Sequence, residues 1–286
     1  MEGPSVFLPY VAVGLLFLVL LVLEGRRPLR RVVEPRPRHV ARNLGIAGLG
    51  LAVLNLLQTP LLVPVAEWAR REHVGLLNWV TLPRAAEVAA AVLLLDYTLW
   101  HWHWLTHRVP FLWRFHLVHH VDLDLDSSTA LRFHFGEMML SVPYRLAQVV
   151  VIGADPAAVA LWQVLLVASI LFHHSNLRLP AGLERVLVRL VVTPRMHGIH
   201  HSDYENETNS NWSSLLSAWD WIHGTLVLSV PQREVAIGVP SYRDPREVAL
   251  GQALALPFRR QRADWREADG RLRRRDHARP LTRLAE

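Results

Sequence analysis

Apolar residues run unbroken from Val6 to Leu23, and these 18 positions at the helical rise reach about 27 Å, close to the roughly 30 Å of a hydrocarbon core. A second apolar segment, Leu44 to Ala66, is interrupted by Asn55, Gln58, Pro60 and Pro64, which predicts a kinked helix inside a bundle. The linker from Glu67 to Pro83 is polar apart from an island at Val74 to Val80, placed at the membrane interface. A third segment begins near Ala85 and runs through Asp96 into a histidine-rich stretch. Met138 to Gly153 and Ala157 to Phe172, each of 16 residues, flank the turn signal GADP and predict a tight helical hairpin. At about 24 Å each, with Arg145 inside the first, the pair is expected to dip into the membrane rather than cross it fully. Beyond Leu179 the chain turns amphipathic, then loop-like and polar through Trp212, and ends in a charged tail; no repeat or strand-rich region stands out.

These elements predict an all-α integral membrane protein of four to five membrane segments. Its parts are N-terminal membrane segments with an interfacial linker (1–84), a histidine-bearing domain (85–230) and an Arg-rich C-terminal tail (231–286). Glu2 precedes the first apolar run and Glu24, Arg26 and Arg27 follow it, the reverse of a cleavable signal, so the run reads as a retained anchor. Seven arginines between Arg26 and Arg42, against Arg70, Arg71 and Arg84 at the opposite side, place that flank in the cytoplasm and the N-terminus outside. Following the segments in and out then brings every histidine cluster to the cytoplasmic face, in the inner membrane of a bacterium.

Composition narrows the chemistry. All 31 basic residues are Arg and there is no Cys, so any metal must be held by nitrogen or oxygen. The net charge of +6 owes much to ten arginines between Arg259 and Arg283, a tail that suits anionic lipid headgroups better than nucleic acid. The stretch WHWHWLTHRVPFLWRFHLVHH, residues 100–120, holds His101, His103, His107, His116, His119 and His120. His103 and His107 are four apart, and HxxHH occurs twice, as His116/His119/His120 and His197/His200/His201. On a helix such spacings put side chains on one face, able to converge on an ion, and neutral imidazole suits Fe, Zn, Cu or Ni. A lone interfacial histidine more often pairs with a headgroup; three clusters brought to one side favour metal. HExxH, the mark of a zinc protease, is absent.

DYTLWHWHWLTH (96–107), FHLVHH (115–120), STALRFHFGE (128–137), FHHSN (172–176), TPRMHGIHHS (193–202) and NSNWSSLLSAWDWIHGT (209–225) together resemble the fatty acid hydroxylase and sterol desaturase superfamily. The resemblance covers about residues 90–226 and implies a membrane-bound non-haem di-iron enzyme with a cytoplasmic histidine-rich catalytic cap. Such an enzyme uses O2 and two electrons to hydroxylate or desaturate a lipid. It implies His103, His107, His116, His119, His120, His197, His200 and His201 as ligands of two Fe2+ ions; Zn2+ lies above Fe2+ in the usual affinity order, so zinc can take their place on purification. His134 matches a further family histidine, although Phe135 stands where proline usually follows, and either His173 or His174 joins from the returning helix. His223 replaces a usual Phe, Ser213 a usual Gly, and His101 a usual aromatic residue, so His101 and His223 read as packing residues.

Asp96, Glu137 and Asp220 are candidate acceptors for ligand N–H groups, because neutral imidazoles cancel none of the charge of two divalent ions. Asn176, Asn209 and Asn211 are expected to order the histidine-bearing loops. Trp100, Trp102, Trp104 and Trp113 read as interfacial anchors. No flavin, haem or dinucleotide fingerprint is present, so the two electrons must come from a ferredoxin-, flavodoxin- or cytochrome b5-like system. The rival is a histidine-rich metal-binding or metal-transport membrane protein, which should carry ionisable residues through several spans. Neither reading gives a role to His39, His73 or His277.

Overall fold

The structure, a computed structural model, describes residues 8–267 and 269–276. Val6 and Phe7 of the first apolar run, His277 and the end of the tail lie outside them. Among the described residues, five long helical stretches form the body of the fold. They are α1 (Leu8–Arg26), a continuous pair α2 (Arg36–Val53) and α3 (Thr59–Arg71), α4 (Arg84–Arg108), α6 (Phe135–Ile152) and α7 (Pro156–His174), with α5 (Pro110–His120) between α4 and α6. Short helices α8 (Ala181–Leu187), α9 (Pro194–His200), α10 (Glu205–Thr208), α11 (Ala218–Ile222) and α12 (Leu250–Ala255) build a cap at one end. Among the described residues β-pairing is confined to isolated bridges. Among the described residues, three stretches are long and apolar enough to cross a membrane: Arg36–Trp79, Phe135–Ile152 and Pro156–His174.

The kink expected in the second segment is a π turn at Leu54–Gln58, where the Thr59 N–H reaches back to the Leu54 carbonyl. Pro60 has no N–H to donate, and one extra residue in the preceding turn absorbs the mismatch. This helix starts earlier than its apolar run, so His39, Arg42 and Asn43 are buried in the cap while the later turns face outward.

The α6–α7 hairpin is longer than its apolar runs. Its helices have 18 and 19 residues, about 27–28 Å, because each is capped outside the run: His134 accepts from Gly136 N, and Asp155 accepts from Ala157 N with Pro156 at the first helical position. The expected dip is therefore corrected to a pair long enough to cross. Arg145 lies with its guanidinium 4.7 Å from the Trp162 ring centroid. Gln148 and Tyr144 tie α6 to α4 through Thr98, at 2.6 and 2.7 Å.

Residues 231–276 wrap the cap: Ile237, Val239, Tyr242 and Val248 are buried, and Arg273, Arg274 and Arg275 pair with Asp203, Glu205 and Glu207. Those three arginines serve the chain's own carboxylates rather than headgroups.

At the end opposite the cap, Gly75 crosses Gly153 so closely that a Cβ on Gly75 would stand 2.3 Å from the Gly153 nitrogen, and Gly75 itself has φ +99°. Gly75→Ala is expected to cost at least about 1–3 kcal/mol from backbone strain alone. Thermal unfolding of the purified variant in detergent measures this, and an unchanged midpoint would contradict it.

Candidate metal centre

Nine imidazoles converge in the cap as two adjoining groups. One comprises His103, His107, His116, His120 and His200; the other His119, His174, His197 and His201; within each, one ring nitrogen per residue lies within 4.8 Å of all the others. Helical periodicity explains the division. In the first HxxHH, His116 and His120, four apart, face the first group while His119 faces the second. In the second HxxHH, His197 and His201 face the second group and His200 crosses to the first. Helix α4 supplies His103 and His107, α7 supplies His174, and the groups touch where His120 stacks on His201 with centroids 4.4 Å apart.

The chain fixes which nitrogen faces inward. A carbonyl only accepts, so Nδ1 of His103 donates to Trp212 (2.8 Å), Nδ1 of His200 to Ser210 (2.7 Å) and Nδ1 of His174 to Ile170 (2.7 Å). His116 donates Nδ1–H to Glu137 at 2.9 Å. In each neutral ring Nε2 is then a bare lone pair aimed into its group. Burial above all, reinforced by neighbouring imidazoles, holds His119, His120, His197 and His201 well below the ordinary histidine value, and burial pushes His200 down to about 3. The rings are neutral, the form that binds metal.

Protons alone do not satisfy this arrangement. In the second group Nε2 atoms approach at 3.1 Å (His119–His174), 3.0 Å (His174–His197) and 3.1 Å (His197–His201). His174 has no proton there, and a single proton on His197 serves both neighbours poorly. A cation where four lone pairs meet satisfies all of them. In the first group Nε2 of His107 and of His200 is buried without a partner. The donor set fits two metal ions held by nitrogen.

The surroundings divide the remaining sequence candidates. His174 joins the second group; His173 packs beside it, 4.1 Å from His197 by ring centroids. His134 reaches neither group, because both its nitrogens are engaged, Nδ1 accepting from Gly136 N and Nε2 facing the Leu254 carbonyl at 3.1 Å. Of the carboxylates expected to accept from ligand histidines, Glu137 does so. Asp220 instead takes the amides of Trp212 and Ser213 and the Trp100 indole, holding the loop whose Trp212 carbonyl binds His103. Asp96 takes the Trp219 indole and Leu216 N. Asn211, at φ +54°, bridges Met196 and Val227 and so orders a histidine-bearing loop as expected, whereas Asn176 clasps both backbone groups of Arg30, in the connection between α1 and α2. His101 and His223 pack against Trp100 and Tyr97, also as expected.

Sequence reasoning missed His39. Its Nε2 lies 2.9 Å from Asp122 and its Nδ1 2.9 Å from Asp126, so two carboxylates claim both nitrogens and the ring is an imidazolium. Arg42 binds Glu34 with two hydrogen bonds and Asp122 with a third. Burial would raise the Asp122 carboxyl, but His39, Arg132 and Arg42 outweigh it and hold the group well below the usual carboxylate range. Glu34, His39 and Asp122 also lie close enough together to hold an ion, yet their cations are already present in His39 and Arg42. The network locks the segment after His120 onto α2. The alternation DLDLD and the spacing of His39, Arg42 and Asn43 on one helical face carried this signal.

A family model for fatty acid hydroxylase matches residues 88–225, the stretch that supplies all nine grouped histidines. Ornithine lipid hydroxylase OlsE of Rhizobium tropici is 31% identical over 63% of this chain and 52% of its own length. Cholesterol 25-hydroxylase of Mus musculus is 28% identical over 54% of this chain and 55% of its own. Alkylglycerol monooxygenase of Xenopus tropicalis is 28% identical over 49% of this chain and 29% of its own. The chain thus spans about half the length of the first of these relatives. No solved structure matches it significantly. Motifs, histidine groups and relatives agree in likening residues 88–225 to the fatty acid hydroxylase family, and the relatives matched there are named as hydroxylases and a monooxygenase.

Replacing His200 or His197 by alanine is expected to lower metal content per chain, and Glu137→Gln to weaken affinity by roughly 10–100-fold. His39→Ala should instead destabilise the cap by about 3–5 kcal/mol, because it removes the one cation shared by Asp122 and Asp126 and leaves Arg42 alone to face Asp122. Elemental analysis together with thermal melts separates the two; full stability in His39→Ala would contradict the paired-imidazolium assignment.

Proposed function

We propose that this protein is an O2-dependent lipid hydroxylase whose two histidine groups each hold one iron ion. The observation that carries this reading is the exchange between the HxxHH helices, each giving two rings to one group and one to the other, so that ions held by the two groups would lie side by side. Bound iron would supply reductive activation of O2 toward an unactivated C–H bond. The balance is one C–H, one O2, two electrons and two protons giving C–OH and water. The chain's own part is to hold nine rings, keep water out and fix the tautomers: His116, His119, His120, His197, His200 and His201 are each no more than 2% exposed.

A membrane lipid is the substrate this reading favours, because the relatives are named for oxidising an ornithine lipid, cholesterol and an alkylglycerol. Their names also favour hydroxylation over desaturation. The electrons come from a separate ferredoxin-, flavodoxin- or cytochrome b5-like carrier. Clustering of arginines at the cap end supports a cytoplasmic cap and a bacterial inner membrane.

Two experiments test this. Anaerobic loading with Fe2+, then reductant, lipid extract and labelled O2, should put one labelled oxygen into a lipid; an iron-loaded, reduced protein that leaves every lipid unlabelled would favour the metal-carrier rival. For orientation, the chain has no native Cys, so single cysteines report cleanly. The exposed Glu72, at the end opposite the cap, changed to Cys should react with an impermeant reagent outside intact cells. Arg246→Cys, on the exposed cap surface, should react only after permeabilisation; the opposite pattern would invert the topology.

A further inference from the structure

The cap carries a second site. A pocket of about 530 Å³ opens beside the last turns of α4, lined among others by Trp100, His101, Trp104, Arg108, Trp212 and His223, a volume in the range of small-molecule sites. Trp100, Trp104 and Arg108 repeat every four residues and share one helical face, while His103 and His107 turn toward the metal centre. The pocket is therefore separate from the histidine groups, although its floor is the segment whose Ser210 and Trp212 carbonyls hold His200 and His103.

Polarity changes along it in one direction. Next to its rim at His223 and Gly224, Trp221 and Ile222 are 70% and 67% exposed, an apolar surface that suits acyl chains. Indole and imidazole, side chains with an apolar body and a polar edge, share the walls with the polar Asn206, Asn209, Ser210 and Thr225. At the opposite limit Arg108 is exposed and, among the described residues, pairs with no carboxylate; its guanidinium lies 5.4 Å from the Trp212 ring centroid. Exposed apolar side chains, then aromatic rings, then a free guanidinium reproduce the profile of an amphiphile standing at a membrane surface.

We propose that the Trp100–Trp104–Trp212 pocket binds the anionic headgroup, phosphate or carboxylate, of a membrane lipid, with Arg108 as its counter-ion. This rests on the membrane placement of the chain, not on the iron chemistry, so it is tested on metal-free protein. Full-length protein in detergent is titrated with short-chain phosphatidylglycerol or phosphatidylcholine and bound lipid is counted by native mass spectrometry. One phosphatidylglycerol should bind in preference to phosphatidylcholine, Arg108→Gln should weaken it about ten-fold by removing a charge-assisted contact, and Trp104→Ala should weaken both lipids.

Melting midpoints equal to that of the unaltered protein certify that the variants fold. Undiminished preference in Arg108→Gln overturns the proposal, as does equal competition by inorganic phosphate, which would make this a free-anion site. Normal lipid binding with a raised KM for the electron-donor protein would make the pocket a docking surface instead, and also overturns it. In the iron-loaded protein, lipid recovered oxidised identifies a substrate headgroup and lipid recovered unchanged a resident bilayer lipid; either supports the headgroup assignment.

Discussion

Everything in the cap depends on the direction of a few N–H bonds. An imidazole offers one lone pair when neutral, and which nitrogen carries it is decided by the acceptor on the other side of the ring. Here the carbonyls of Trp212, Ser210 and Ile170 and the carboxylate of Glu137 make that decision for four rings. The Trp212 and Ser210 carbonyls are in turn fixed by Asp220, which gathers the Trp212 and Ser213 amides, and by Asn211, which ties their loop to α9 and to Val227. The loops between Thr208 and Thr225 look irregular, but they are the scaffold on which the lone pairs are aimed.

Charge is handled separately from metal binding. The His39, Arg42 and Arg132 cations meet Glu34, Asp122 and Asp126 in a buried network on the side of α5 that faces α2. A buried ion network is costly to desolvate and contributes orientation more than stability. Its position fits that: it begins two residues after His120 and fixes where α5 ends. The carboxylates needed to steady this segment are spent on histidine and arginine cations, and the grouped imidazoles keep their lone pairs.

Much of this was legible in the sequence. Four-residue and three-residue spacings picked out eight of the nine grouped histidines, and the interruptions at Gln58 and Pro60 marked the π turn in the second segment. What the sequence hid were choices made by long-range contact. His173 and His174 are adjacent at a helix end, and only the angle of α7 against α9 selects His174. His134 sits in a matching motif, yet capping α6 and facing Leu254 occupies its ring. Asp96 and Asp220 have the right charge and the right neighbourhood, but tryptophan indoles and loop amides reach them first. The hairpin looked short because capping residues outside its apolar runs do not register in hydropathy.

The exchange of rings between α5 and α9 also constrains how the chain can vary. Each helix serves both groups from faces about 100° of rotation apart per residue. Inserting or deleting a single residue in either would swing all of its imidazoles out of register and dismantle both groups together. Substitutions between the histidines leave that register intact. Length in these two helices is therefore constrained more tightly than composition, and an inserted residue is tolerable only in the connections between helices.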